Sequence, residues 1–229
     1  MGLIVVPALI PDITSAYNAY FEAFKDDVIL EVLFPGGITE DFREGHTAHT
    51  LGYWHQSDCQ YTLKCIDSVT KEVVGMALWD IYLSERPEDE WKNPGVTWLE
   101  GEHRKRAEDI LNPLWEQKAK LWGGRRHVYC HVVAVKPGHQ RRGAGALLMK
   151  WGLDIAEEAG LPVYLESSRA ALRLYQKLGF VQVGSVTHKA ELVGEESDVE
   201  VPLMVKMPSA AGGKSFDEWR GEGYPELCQ

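Results

Sequence analysis

Apolar residues fall in short runs bounded by turn formers, and the spacing inside each run separates strands from helices. Residues 3–8 read as a first strand. Residues 12–24 follow helical spacing, with Asp12 or Thr14 placed to cap the N-terminus. Residues 42–53 continue in helical register. Two β-rich runs, 61–66 and 73–83, flank a turn at Asp67 and Thr70, which predicts an antiparallel hairpin.

The next stretch, 84–126, is polar and rich in Trp and charge. Within it, 104–121 has good helix formers and apolar residues at Ile110, Leu114 and Leu121, while Pro113 predicts a break or kink. A segment this long between two strands is too large for a structureless loop. Residues 127–135 form a strand followed by a turn at Pro137-Gly138. Residues 144–158 form a helix ended by Gly160, residues 162–165 a short buried strand, and residues 169–178 a helix ended by Gly179. Two antiparallel strands, 180–186 and 199–205, close the pattern. From Pro208 onward, Gly212-Gly213 and Gly221 predict an extended or partly disordered arm. Strands alternating with helices in the second half imply an α/β (α+β mixed) chain, a mixed sheet with helices on both faces. The expected organisation is one domain over 1–207, with 84–126 as a helical insertion and 208–229 as a C-terminal extension.

Composition narrows the class of partner. The 229 residues are 45% hydrophobic and 25% charged, values of an ordinary globular protein. A formal charge of −10 argues against a nucleic-acid surface, which needs clustered Lys and Arg. Cys59, Cys65, Cys130 and Cys228 are too widely spaced for a CxxC metal site, and Cys65 and Cys130 fall in strand-like runs, where a thiol behaves as a small hydrophobe. The run 3–10 is too short to span a bilayer and lacks the charged flank of a signal peptide. Val6 is wrong for myristoylation at Gly2, and the penultimate Cys228 does not make a prenylation box. A cytoplasmic protein with no membrane partner is expected.

One segment carries chemistry. Val133 to Val135 end a strand, Lys136 to Arg142 form a turn, and Gly143-Ala144-Gly145-Ala146 open a helix. The first amides of a helix have no internal acceptor and can donate to an anion. Gly143 and Gly145 let phosphate oxygens approach the backbone, and Arg141 and Arg142 add charge. A P-loop would need Lys-Ser or Lys-Thr after its last glycine, and a dinucleotide fingerprint would need Gly or Ala where Leu148 stands. What remains is Gln or Arg, two free positions, Gly, one free position, then Gly or Ala, and Gln140-Arg141-Arg142-Gly143-Ala144-Gly145 fits it.

That hexapeptide resembles the CoA-pyrophosphate loop of the GNAT superfamily of N-acetyltransferases. Leu174-Tyr175-Gln176-Lys177-Leu178-Gly179-Phe180 resembles the family's other recurrent segment, of the form LYxKLGF, and the helix and strand that a GNAT requires lie between the two. The resemblance covers residues 73–205. It implies a GNAT fold with a mostly antiparallel twisted sheet, and acetyl-CoA as cosubstrate, with no metal. Pantetheine would lie as a pseudo-strand bonded near Val133 and Val135, its diphosphate on residues 140–146, in a V-shaped opening between the strands ending at Val135 and Leu165. A bulge in the first of these strands would turn an amide toward the thioester carbonyl, where it would stabilise the oxyanion.

The family places a tyrosine at the position of Tyr175 with its hydroxyl toward the thioester sulfur; packing of the ring in the core is the alternative. A base is less evident. Alternation puts Val128, Cys130, Val132 and Ala134 on one face of their strand and His127, Tyr129 and His131 on the other. Histone acetyltransferases carry a glutamate base at the position matching Tyr129, which this chain lacks. Aralkylamine acetyltransferases are similar in carrying histidine at the position matching His131, which otherwise simply lines the sheet. Glu166 is the rival base or an ammonium anchor, or else a carboxylate supporting the helix expected from Arg169. The acceptor pocket should come from the N-terminal helices and the insertion. Trp91, Trp98, Trp115 and Trp122 either wall that pocket or pack the insertion, and Asp80 and Tyr82 are placed to reach the cleft. Together these imply direct acetyl transfer to a small-molecule amine through a ternary complex, by a monomer or homodimer. A protein or peptide N-acetyltransferase and a non-catalytic acyl-CoA-binding module are the alternatives.

Overall fold

The computed structural model describes residues 2–54, 56–93 and 95–227; Cys228 lies outside them. Strand β1 (Leu3–Pro7) precedes helix α1 (Ile13–Ala23), α2 (Val28–Leu33) and α3 (Glu40–Trp54). The hairpin is β2 (Gln60–Asp67) and β3 (Val73–Tyr82). Then come α4 (Glu88–Trp91), α5 (Gly101–Trp122), β4 (His127–Val135), α6 (Ala144–Glu158), β5 (Val163–Glu166) and α7 (Leu172–Lys177). The chain ends with β6 (Val181–His188), α8 (Ala190–Val193), β7 (Val199–Lys206) and α9 (Phe216–Gly221). The strands form one seven-stranded sheet in the order β1-β2-β3-β4-β5-β7-β6. β4 and β5 run parallel, whereas β1/β2, β2/β3, β5/β7 and β6/β7 pair antiparallel, giving the expected mixed, mostly antiparallel sheet. No helix among the described residues is long and apolar enough to cross a membrane.

By contacts the chain forms two compact units, residues 1–81 with 130–154, and residues 82–129 with 155–229. In the first, Ala16, Met76 and Ala134 are buried together beneath Tyr17, Tyr20, Phe24, Leu78 and Val132. The other face of β3 carries Trp79, fully buried under Gly152 of α6. A Cβ on Gly152 would sit 2.5 Å from the indole, so glycine is required for this close approach. Asp67 shapes the hairpin turn by accepting from the amides of Val69 (2.9 Å) and Thr70 (3.4 Å). Cys65 and Cys130 are buried thiols, as their strand positions predict.

Four expectations change. Asp12 occupies the N-cap position of α1, as expected, but its side chain makes no capping bond; its carboxylate instead accepts from the Leu9 amide at 2.8 Å, fixing a 3-10 turn before the helix. Pro113 does not break α5, which runs continuously from Gly101 to Trp122. An interior proline costs ~3 kcal/mol, while burial of Ala107 and Ile110 before it and Leu121 and Trp122 after it anchors both halves. α7 begins at Leu172 rather than Arg169, because Ser168 first closes a turn, its Oγ accepting from the Ala171 amide at 3.3 Å.

The C-terminal segment is the fourth. It folds instead of trailing: Ser215 and Glu218 form a capping box that starts α9, and Phe216 and Trp219 are buried. Their rings lie 5.2 and 6.3 Å from that of Trp122.

Candidate functional site

Contacts along β3 and β4 locate a bulge. Met76 and Leu78 of β3 face α1, and the unbroken β2/β3 register from Gln60↔Asp80 to Lys64↔Met76 puts Asp80 on that same face. Gly75 and Trp79 face α6. Along β4, Val132 and Ala134 lie on the α1 side. Cys130, however, has its Sγ 3.8 Å from Met149 Sδ of α6, and Val135 lies beside Gly75 on the α6 side. His131 bonds Asp80, so it joins Val132 on the α1 side. Two consecutive residues on one face mark an extra residue in the strand, a β-bulge. The strict alternation expected for β4 therefore fails at His131, and Cys130 does not share a face with Val132 and Ala134.

The bulge brings together groups that are far apart in sequence. His131 Nε2 lies 2.5 Å from Asp80 Oδ2, and Gln60 Nε2 donates to Asp80 Oδ1 at 3.2 Å. Asp80 is 6% exposed at its side chain and His131 32%. With Nε2–H donating to this buried carboxylate, the ring is held in one orientation with Nδ1 at its other edge.

Val133 and Val135, both half-buried, lead from the bulge into the turn and then α6. Arg141 adopts φ 62° and Gly143 φ 91°, left-handed conformations on both sides of Arg142. A Cβ on Gly143 would meet nothing within 4 Å, so this face of the loop opens outward. The first main-chain bond closing α6 runs from the Leu147 amide to Gly143 O at 3.0 Å. The amides of Ala144, Gly145 and Ala146 therefore precede the intrahelical ladder and have no acceptor within the helix. Gln140 supports the turn by donating from Nε2 to Val135 O at 3.3 Å. Arg142 is placed differently from Arg141: its guanidinium bonds Asp67 at 2.6 Å and His139 Nδ1 at 2.7 Å. The guanidinium and turn amides hold the Asp67 carboxyl at about 2, well below its ordinary value. Arg142 thus ties the loop to the β2–β3 hairpin, while Arg141 is exposed. The open glycine and successive helix-terminal amides can donate to a phosphate group.

Between α1, α3 and strands β2–β4 lies a pocket of about 300 Å³. Tyr17, Tyr20, Phe34, Tyr53, Leu78 and Val132 are among its walls, with His46 and His49 on the α3 side. Burial, and secondarily His49, push the His46 imidazole down to about 4. Burial raises the Tyr17 and Tyr20 phenols above their ordinary value. Sequence reasoning expected a pocket from the N-terminal helices and the insertion; the N-terminal helices do wall this one, but none of its described lining residues comes from 84–126. The signal was the aromatic spacing Tyr17, Tyr20, Phe21 and Phe24 on α1, which faces Phe34 and Phe42.

In the second unit, Tyr129 Oη donates to Glu166 Oε2 at 2.8 Å, and the Tyr129 ring stacks on Tyr164 at 5.7 Å. Glu166 is half-buried and precedes α7 by six residues, too far to support its N-terminus. Tyr175 is 7% exposed, with its ring edge-on to Phe180 at 5.7 Å. Trp122 is fully buried and stacks on His127 at 4.3 Å, a packing role. Tyr82 lies against His127 with Arg86 over its ring, whereas Trp98 is 53% exposed.

A seven-stranded mixed sheet whose bulged strand leads through a glycine turn into a helix N-terminus fits an acyltransferase of the GNAT fold. Residues 32–180 match the family model described as Acetyltransferase (GNAT) family. Over 145 residues, 62% of this chain, the sequence is 41% identical to a protein from Ajellomyces capsulatus named probable acyltransferase SID5, and the match spans 99% of that protein. Among solved structures, the mosquito arylalkylamine N-acetyltransferase like 5b is 15% identical, with a TM-score of 0.63 over 90% of this chain and 100% of that one. The Drosophila melanogaster polyamine N-acetyltransferase, 12% identical, has a TM-score of 0.62 over 90% and 100%. The chain belongs to the GNAT acetyltransferase family.

Proposed function

We propose that the protein is an acetyl-CoA-dependent N-acetyltransferase that acetylates a small-molecule amine directly, through a ternary complex. On this reading residues 1–207 form the catalytic domain. The observation that carries it is the His131–Asp80 pair on the bulge of the strand that leads into the phosphate cradle. An alkylammonium with pKa near ~10 is almost wholly protonated at neutral pH and must lose a proton before attack. Nδ1 of His131 takes that proton, and the Asp80 carboxylate stabilises the resulting imidazolium. The free amine attacks the thioester carbonyl; a C–N bond forms, the C–S bond breaks, and the acylated nitrogen sheds its remaining extra proton, which reaches the departing CoA thiolate through solvent, so that the products are the amide and CoA thiol. A main-chain amide at the bulge steadies the oxyanion, and the Tyr175 hydroxyl donates a hydrogen bond to the departing sulfur. Val133 and Val135 bond pantetheine, and Gln140, Arg141, Arg142, Gly143, Ala144, Gly145 and Ala146 cradle the diphosphate, chiefly through main-chain amides. Glu166, whose Oε2 accepts from Tyr129, is the rival base.

Thiol release from acetyl-CoA against a panel of amines tests the reading. Gly143→Val places a side chain where phosphate would lie, so acetyl-CoA KM should rise strongly in a variant that still folds; an unchanged KM rejects the cradle. His131→Asn should lower kcat ~10²–10⁴-fold while leaving acetyl-CoA KM little changed. If Glu166→Gln does this instead, the base is Glu166.

A further inference from the structure

Resting on the transferase reading, we infer that the acceptor is a compact monoamine on an aryl or alkyl body, bound in the pocket beside His131. Val132 lines that pocket and, because of the bulge, shares its face with His131. Gln60 also lines it and donates to the Asp80 carboxylate that holds His131. A ligand body in the pocket therefore lies next to the proposed base, with its amine as the end that approaches.

The lining defines the body. Rings of Tyr17, Tyr20, Phe34 and Tyr53 and the aliphatic Leu78 and Val132 supply an apolar wall. Among the described residues, none of those lining the pocket is Lys, Arg, Asp or Glu. Its histidine on the aromatic side, His46, is neutral at physiological pH. The second ammonium of a polyamine would lose water here and meet no carboxylate among the described lining residues, and the carboxylate of an amino acid would meet no Lys or Arg there. An aryl or alkyl body gains burial and ring contacts with no such loss. A volume of about 300 Å³ is at the low end of ligand pockets, which suits a compact molecule and not a peptide chain.

The test is steady-state thiol release by the full-length protein with acetyl-CoA and phenethylamine, hexylamine, spermidine, lysine or a short peptide. The monoamines should exceed the other acceptors in kcat/KM by ~10-fold or more, the scale on which an apolar pocket discriminates. Leu78→Trp, which fills the pocket, should raise the monoamine KM and leave that for acetyl-CoA unchanged. Tyr53, 44% exposed, offers a milder change should that variant not fold. Tyr53→Glu brings a carboxylate to the pocket and should shift preference from phenethylamine toward spermidine. Wild-type preference for spermidine, lysine or peptide overturns this inference and leaves the transferase reading standing. Absence of thiol release with every acceptor, in a protein that still binds acetyl-CoA, overturns both.

Discussion

At the scale of single residues, the proposed mechanism gives Tyr175 and Asp67 different steps and separable signatures. The Tyr175 ring packs edge-on to Phe180, so Tyr175→Phe preserves the contact and deletes only the hydroxyl. A phenol near ~10 cannot fully protonate a thiolate near ~8.5 without an uphill step of ~2 kcal/mol, so on the proposed mechanism the hydroxyl would act by hydrogen bonding to developing charge. The expected outcome is a kcat lower by ~10–10³-fold, with acetyl-CoA affinity and melting temperature little changed. A kcat close to that of wild type would make the residue structural. Asp67 lies on the hairpin, outside the glycine loop, yet its ion pair with Arg142 fixes that loop. Asp67→Asn should raise acetyl-CoA KM severalfold with little effect on kcat; a fall in kcat alone would contradict a positioning role. Because its carboxyl is held near 2, the pair stays charged where an ordinary aspartate begins to protonate. Arg142 itself was legible as a charge in the loop, but its partner was not, because Asp67 and Arg142 meet only once the β2–β3 turn has formed.

At the scale of elements, legibility followed length and caps. β4 and α6 occur at the boundaries that their apolar runs and flanking glycines predict. α2 was missed: it has only six residues, and its start depends on Asp27 accepting from the Ile29 amide at 2.9 Å. The β4 bulge was expected from the family resemblance and invisible in the hydrophobic pattern, since an inserted residue leaves the run of apolar side chains intact. α3 illustrates the cost of the pocket. Its His46 packs against Tyr17, Phe21 and Phe42 at ring distances of 4.6, 5.3 and 5.7 Å. The imidazole protonates at about 4 when folded, against ~6.5 in an unfolded chain. Between those values the unfolded state binds more protons, so stability falls as pH is lowered from ~6.5 toward the folded value. Urea midpoints measured from pH 7 to 4.5 should decline, and His46→Phe should flatten the slope. His188, whose imidazole burial also lowers, leaves part of it. An equal slope in the variant would show that His46 does not couple pH to folding.

At the scale of the whole molecule, the C-terminal segment is the feature that sequence reasoning least anticipated. Glycines at 212, 213, 221 and 223 suggest flexibility, yet those at 212, 213 and 223 occupy positive φ values of 62°, 87° and 85°. They serve as turns between ordered pieces. Phe216 and Trp219, isolated in a polar stretch, show no periodicity by themselves; their partner is Trp122, almost a hundred residues earlier. Around Trp219 the contacts are specific: its Nε1 donates to Pro225 O at 2.8 Å, and its ring meets Tyr224 edge-on at 4.9 Å. Tyr224 Oη in turn donates to Leu121 O at 2.9 Å, at the end of α5. Trp122 then stacks on His127, the first residue of β4, so the tail supports the start of the strand that carries the bulge. Trp219→Ala removes a 5% exposed indole, and truncations of buried aromatics cost ~3–5 kcal/mol. The expected outcome is a fall of that size in unfolding free energy from urea titration, with acetyl-CoA KM retained under conditions where the variant remains folded. A loss below ~1 kcal/mol, in the range of ordinary surface substitutions, would show that the tail is an appendage and that β4 is held without it.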